Sequence, residues 1–271
     1  MFVEKYKKRA EATNSLVCVG LDSDFGKLPS QFTNFQTPQF DFNKAIIDAT
    51  HEFVAAYKPN VAFYEARGDQ GLRELKLTME YLQTNHPDIP TILDAKRADI
   101  GNTNQGYVQS IFDWLGFDAV TLHPYLGKEA LQPFLERADK GCIILCRTSN
   151  PGAGEFQDLV SNGKPLWQHV ADKIANNWNS HNNCLLVVGA TYPEEMVQIR
   201  QATGEMTFLV PGIGAQGGDV ATVVKAGKTA DGLGLIINSS RGIIFAGHDE
   251  DFADQAALAA KKLRDEINRY R

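Results

Sequence analysis

Short apolar runs recur along the chain, and each is followed by a segment with helical spacing. The runs of strand length are Leu16–Leu21, Ala56–Phe63, Thr91–Leu93, Ala119–Leu122, Cys142–Cys146, Leu185–Val188, Phe208–Val210 and Gly232–Ile237. Several are apolar at consecutive positions (LVCVGL, CIILC, LLVVG, LGLII), as expected of parallel strands covered on both faces. Between them the period changes. Thr37-Pro38 has the form of an N-cap followed by proline in the first helical turn, after which Phe42, Ala45, Ile46, Ala49 and Phe53 share one face. Leu72, Leu75, Met79 and Leu82 repeat that spacing until His86-Pro87 ends the helix. Gln168–Trp178, Glu194–Gln201, Asp219–Ala226 and Asp251–Tyr270 behave in the same way, and Phe2–Ala12 predicts an extra helix capping the bottom of the fold. Trp114, Trp167 and Trp178 fall in helical stretches and are expected to pack helices on the barrel.

Eight strand–helix units in 271 residues average about 34 residues each, the size of a βα repeat in a (β/α)8 TIM barrel. A doubly wound open sheet usually carries GxGxxG after its first strand, and Leu16–Asp24 has none. No Gly/Ser linker or break in composition divides the chain, so residues 1–271 read as one domain.

Composition narrows the function. With 33 acidic residues against 27 Lys plus Arg, the net charge of −6 argues against nucleic-acid binding, which wants a basic face. No apolar run reaches the ~18 residues that span a bilayer, and the charged start MFVEKYKKRAEATN is unlike a secretory signal, so a cytoplasmic protein is expected. Cys18, Cys142, Cys146 and Cys184 lie in apolar runs without CxxC spacing; they read as buried, reduced thiols, with no zinc site.

In a barrel of this kind chemistry belongs at the C-terminal ends of the strands, with a phosphate site often built after strands seven and eight. Strand three runs into LDAKRADIGNT, where Asp94 and Lys96, two apart on a strand, face the same side, and Asp99 follows in the loop. Two readings stand: a structural salt bridge, or a charge network that holds a lysine protonated as a general acid. Asp22 after strand one either caps a turn or joins that rim. Lys58, in an otherwise apolar strand, is harder to place without a partner. The loops PGIGAQGGD and INSSRG, with Gln216, Ser240 and Arg241, supply exposed backbone N–H groups and a bidentate cation, which points to a phosphorylated substrate. In CRTSNPGAGEF, Ser149 and Asn150 either start a turn or offer hydrogen bonds to a polar ring from a closing loop. His123, after strand four, reads as a hydrogen-bonded rim residue.

The set DAKRADIGNT, TSNPGAG, PGIGAQGGD and SSRG, in that order, resembles the orotidine 5'-phosphate decarboxylase family over essentially the whole chain. The likeness is to the longer bacterial form (subfamily 2), with Phe25–Phe40 as its extra segment, either covering the barrel edge or meeting a second subunit. Ser240 before Arg241 and Gly242 after it depart from the Gly-Arg-Ser order of the short form, and Ala98 stands where Gly is common. The resemblance implies a homodimer without cofactor or metal that converts orotidine 5'-phosphate to UMP. It also implies an array of Lys58, Asp94, Lys96 and Asp99, with Asp99 reaching in from the neighbouring subunit. Lys96 would stabilise and protonate the C6 carbanion beside Asp94, while Lys58, Asp22 and the neighbour's Thr103 would hold ribose hydroxyls. Ser149 would bind the pyrimidine, Gln216 would bridge pyrimidine and phosphate, and Arg241 with backbone near Ser240 would grip the phosphate. Mg²⁺-dependent sugar-phosphate decarboxylases and hexulose-phosphate aldolases share Asp-x-Lys-x-x-Asp. They are expected to carry an acidic metal ligand at the end of strand two, where this chain has Lys58-Pro59-Asn60. A non-catalytic nucleotide-binding barrel is the remaining alternative.

Overall fold

The computed structural model of the chain describes residues 1–32, 34–213 and 218–271. Its principal strands are β1 (Val17–Val19), β2 (Ala56–Tyr57), β3 (Ile92–Arg97), β4 (Ala119–Leu122), β5 (Gly141–Arg147), β6 (Cys184–Val188), β7 (Phe208–Val210) and β8 (Leu235–Ser239). They pair in parallel in the order β2-β1-β8-β7-β6-β5-β4-β3, and parallel bridges Tyr57–Thr91 and Asn60–Asp94 join the two ends. The result is a (β/α)8 barrel. The strands are short and almost wholly buried, because helices cover their outer faces while the inner faces fill the barrel.

The principal helices are α1 (Phe2–Ala12), α2 (Pro38–Thr50), α3 (Gly68–Asn85), α4 (Gly101–Val108), α5 (Gly127–Leu135), α6 (Leu166–Lys173), α7 (Pro193–Thr203), α8 (Val220–Gly227) and α9 (Phe252–Asn268). α4 and α6 run on in π-helical turns to Leu115 and Trp178. Among the described residues no helix is long and apolar enough to cross a membrane. α1 has the predicted bounds and place: Phe2, Tyr6 and Ala10, four apart, are buried, and the Tyr6 hydroxyl donates to the Leu235 carbonyl at the start of β8. Lys5 of the same helix pairs with Asp118, just before β4, at 2.8 Å. The helix therefore closes the end of the barrel where the strands begin, which leaves the other end for chemistry. All four cysteines are buried and free.

Three sequence expectations shift. The run Ala56–Phe63 leaves the sheet after Tyr57, where Lys58-Pro59 intervenes, and turns into a short helix over Ala62–Glu65. β8 begins only at Leu235, because Gly232 and Gly234 have φ of 77° and 79°, which places them in a turn. Trp167 and Trp178 are buried as expected, but Trp114 is 49% exposed on the outside of its helix and does not pack on the barrel. In the 25–40 segment two 3-10 turns form, Phe25–Lys27 and Ser30–Phe32; Phe32 packs edge-on against Phe42 of α2 and Phe252 of α9 with Phe35 beside it, while Phe25 and Phe35 stay exposed.

Candidate active site

The sequence DAKR at the end of β3 does not continue as a regular strand. Leu93 pairs with Val120 and Arg97 with Leu122, so four steps on β3 match two on β4, a bulge that contains Lys96 at φ +47°. A left-handed conformation at a residue with a side chain is strained by about 1–3 kcal/mol and persists where the surroundings enforce it. Asp94 and Lys96 do come together, but through this bulge and not through the simple alternation of a strand.

Asp94 is the centre of the arrangement. Its Oδ2 lies 3.2 Å from Lys58 Nζ and 3.3 Å from Asn60 Nδ2, while its Oδ1 lies 2.6 Å from Lys96 Nζ and accepts from the Thr121 hydroxyl at 2.9 Å. Burial alone would push this carboxyl up. The two ammonium groups, with the donors from Lys96 and Thr121, outweigh it and hold the carboxyl well below the usual carboxylate range. For Lys58, which is 3% exposed, burial would favour the neutral amine, but the Asp22 and Asp94 carboxylates reverse that and raise its pKa above the ordinary lysine value. Asp22 is fixed in turn, its Oδ1 accepting from the Asn60 backbone N–H at 3.0 Å. The chain thus keeps a cation on each side of one carboxylate, Lys58 buried and Lys96 half exposed.

That pocket is a cavity of about 910 Å³ at the C-terminal ends of the strands, within the usual range for small-molecule sites. Asp22, Lys58, Asp94 and Lys96 form one end of its lining. Ser149, half-buried after β5, forms part of the side wall; its backbone packs so closely on Gly189 that a Cβ there would lie 2.8 Å from Ser149 Cβ. Pro211–Ile213, Gly218 and Asp219 after β7, and Ser240, Arg241 and Gly242 after β8, line the same cavity, as the barrel position predicts for a phosphate site. Ser240 sits against β1: a Cβ on Gly20 would fall 1.8 Å from its Oγ. Gln216 lies outside the described residues.

Asp99 and Thr103 do not line the cavity formed by their own chain. Asp99 lies two residues before α4, where its Oδ1 accepts from the Ile100 N–H at 2.7 Å and its own N–H donates to Asn104 Oδ1 at 2.8 Å; Thr103 is exposed on that helix. His123 is half-buried and also outside the lining, its backbone N–H donating to the Arg97 carbonyl at 3.2 Å.

Three residues escaped sequence reasoning. Asn60 follows Lys58 in KPN and contacts both Asp22 and Asp94. Thr121 is the lone polar side chain of β4, a signal that AVTL carried. Arg147, 2% exposed at the end of β5, stacks 3.7 Å over the Tyr192 ring and pairs with Asp158 at 3.2 Å and Glu195 at 3.7 Å, anchoring the segment that carries Ser149. Among the described residues no group of three or more His, Cys, Asp or Glu side chains is placed to hold a metal ion.

Residues 15–256 match the model of the orotidine 5'-phosphate decarboxylase / HUMPS family. Orotidine 5'-phosphate decarboxylase of Cellvibrio japonicus is 53% identical over 269 residues, covering 98% of each chain, and that of Janthinobacterium sp. is 46% identical over 99% of this chain and 98% of the other. Among solved structures, Leishmania donovani OMP decarboxylase superimposes with a TM-score of 0.83 at 36% identity, over 97% of this chain and 98% of that one. Leishmania donovani UMP synthase gives 0.88 at 39%, over 98% of this chain and 56% of that longer one. By the family match across its barrel and by identity with these relatives along its whole length, the chain belongs to the orotidine 5'-phosphate decarboxylase / HUMPS family.

Proposed function

We propose that this chain, acting as a single domain over residues 1–271, decarboxylates orotidine 5'-phosphate to UMP without metal or organic cofactor. The observation that carries the reading is the Asp94 carboxylate held between the ammonium groups of Lys58 and Lys96 at 3.2 and 2.6 Å. Within the family this favours the decarboxylase over the Mg²⁺-dependent sugar-phosphate enzymes, since a cation side chain stands at the end of β2 where those need an acidic ligand. The names of the relatives at 45–53% identity favour it too.

The chemistry follows from the charges. The phosphate is placed against Arg241 and the backbone near Ser240, where a guanidinium and the backbone N–H groups that open the short helix Arg241–Ile244 favour an anion. Gln216 bridges phosphate and pyrimidine, and Ser149 binds the pyrimidine. Asp22 and Lys58 hold ribose hydroxyls. The substrate carboxylate at C6 then lies beside Asp94, and the C6–carboxylate bond breaks with its electron pair left on C6. The Lys96 ammonium stabilises that pair where it develops and then gives C6 a proton, leaving a neutral amine that regains a proton from water. Binding at the remote phosphate helps to draw the reacting carbon into place. Asp99 and Thr103, which do not line their own chain's cavity, are assigned to the active site of a second subunit in a homodimer. The setting is cytoplasmic.

The test is decarboxylation of orotidine 5'-phosphate followed by UV absorbance, with and without EDTA, beside Lys96→Ala. Turnover that ignores EDTA and falls by at least ~10³-fold in a folded Lys96→Ala variant is expected, since removing one charged group that acts on the transition state costs ~10²–10³ and this one also supplies the proton. Turnover abolished by EDTA moves the assignment to the metal-dependent sugar phosphates. UMP binding without turnover moves it to a binding-only barrel.

A further inference from the structure

The bulge in β3 leaves two consecutive backbone N–H groups, those of Ala95 and Lys96, without partners in the sheet ladder. Both donate to a single atom, Thr121 Oγ1, at 3.0 and 2.9 Å. The same hydroxyl donates its proton to Asp94 Oδ1 at 2.9 Å, the oxygen that also receives Lys96 Nζ at 2.6 Å. A hydroxyl has one proton and two lone pairs. Here all three are committed, and the side chain is 1% exposed, so the group has no freedom to turn elsewhere.

We propose that Thr121 is the positioning residue of the lysine–carboxylate array: its hydroxyl ties the left-handed backbone of Lys96 to the carboxylate of Asp94. This rests on the functional reading above and goes beyond it, because Thr121 takes no part in the chemistry. One atom sets both ends of the contact. It holds the Lys96 backbone in a conformation that a residue with a side chain does not keep unaided. It also fixes which Asp94 oxygen faces Lys96, leaving the other for Lys58 and Asn60. Without it the bulge has two unsatisfied donors and relaxes, and the Lys96 ammonium is no longer set at a fixed place relative to C6. Threonine is suited to the task because its methyl group fills the buried strand position while its hydroxyl reaches across to β3.

Thr121→Val keeps the shape and removes the hydroxyl, and Thr121→Ser keeps the hydroxyl and removes the methyl. With orotidine 5'-phosphate, Thr121→Val is expected to lower kcat by about 10²-fold with KM within roughly 3-fold of wild type, as a misplacement of about 1 Å does. Thr121→Ser is expected to recover all but about 10-fold of that loss. The acid limb of kcat should move to higher pH in Thr121→Val, since Asp94 loses a donor, a change that simple loosening of the barrel does not produce. Unchanged kcat in Thr121→Val beside an active wild type overturns the inference alone, as does equal loss in both variants. If Thr121→Val does not fold, Thr121→Ser decides: a kcat within about 10-fold of wild type supports the hydroxyl's role, and a 10²-fold loss overturns it. A folded wild type without turnover overturns the functional reading instead.

Discussion

Lys58 and Asp94 form an ion pair at 3.2 Å whose side chains are only 4% and 14% exposed. Removing one partner from such a pair leaves an uncompensated buried charge, and here it also leaves Lys58 and Lys96 facing each other across a vacant carboxylate position. Asp94→Ala is therefore expected to destabilise the fold by about 3–5 kcal/mol as well as to abolish turnover. Asp94→Asn keeps the shape and one acceptor oxygen but turns an NH2 toward donors on the other side, so it should recover only part of that loss. Urea unfolding of the two variants beside wild type checks this, and equal stability of all three would show that the pair carries no structural weight.

The same pair sets a pH window. The native Asp94 carboxyl is held below its ordinary value, so its contribution is complete where both folded and unfolded chains are ionised, above about pH 5. As pH falls below about 4 the unfolded chain takes up the proton first, and the contribution shrinks toward the native pKa. Lys58 is raised, so its contribution is complete below about pH 10 and is lost as pH climbs through its native value. The stability difference between wild type and Asp94→Asn is thus expected to be flat from pH 5 to 9 and to shrink in acid. A steady slope across the neutral range in denaturant titrations would contradict the assigned shifts.

Much of this was legible in the sequence, for identifiable reasons. α1 announced itself through Phe2, Tyr6 and Ala10 four apart, and the barrel through apolar runs at βα spacing, because both signals are local and periodic. Lys58 could be picked out because an ammonium in an apolar strand demands a partner. The bulge at Lys96 could not, since it arises from the pairing of β3 with β4 and from a hydroxyl on another strand. Arg147 was hidden for a related reason: its partners are Asp158, after β5, and Tyr192 and Glu195, at the start of α7, all distant from it in sequence. The end of β2 was misjudged because apolar residues continue to Phe63 while the Lys58-Pro59 break redirects the backbone.

Gly189 offers a purely steric test of the wall that carries Ser149. A Cβ at this position would stand 2.8 Å from Ser149 Cβ and 2.9 Å from Ser149 N, and the backbone atom cannot swing aside. Gly189→Ala is expected to push Ser149 inward, lowering kcat/KM by roughly 10- to 100-fold. Such overpacking costs about 1–3 kcal/mol of stability. Activity assays and thermal unfolding read the two effects separately; wild-type kcat/KM in this variant would remove Ser149 from the substrate's surroundings.

Arg147 holds that wall from behind. Its guanidinium stacks on Tyr192 and reaches Asp158, Glu195 and, at 3.4 Å, Gln157 Oε1. Gln157 in turn accepts from the Thr148 N–H at 2.9 Å and donates to the Thr148 hydroxyl at 2.8 Å, next to Ser149. Lysine keeps the charge but lacks the planar fork that stacks and binds several acceptors together. Losing one or two charge-assisted hydrogen bonds costs about 1.5–3 kcal/mol each, and part of that loss falls on the segment after β5 that carries Ser149. Arg147→Lys is therefore expected to raise KM for orotidine 5'-phosphate about 10-fold with a smaller fall in kcat, since a tenfold change corresponds to about 1.4 kcal/mol. It should also speed proteolysis within residues 150–158, where the loop is freed. A variant with unchanged KM and an equally resistant loop would mean that the segment after β5 is held by its own contacts, and that the buried cation serves the barrel alone.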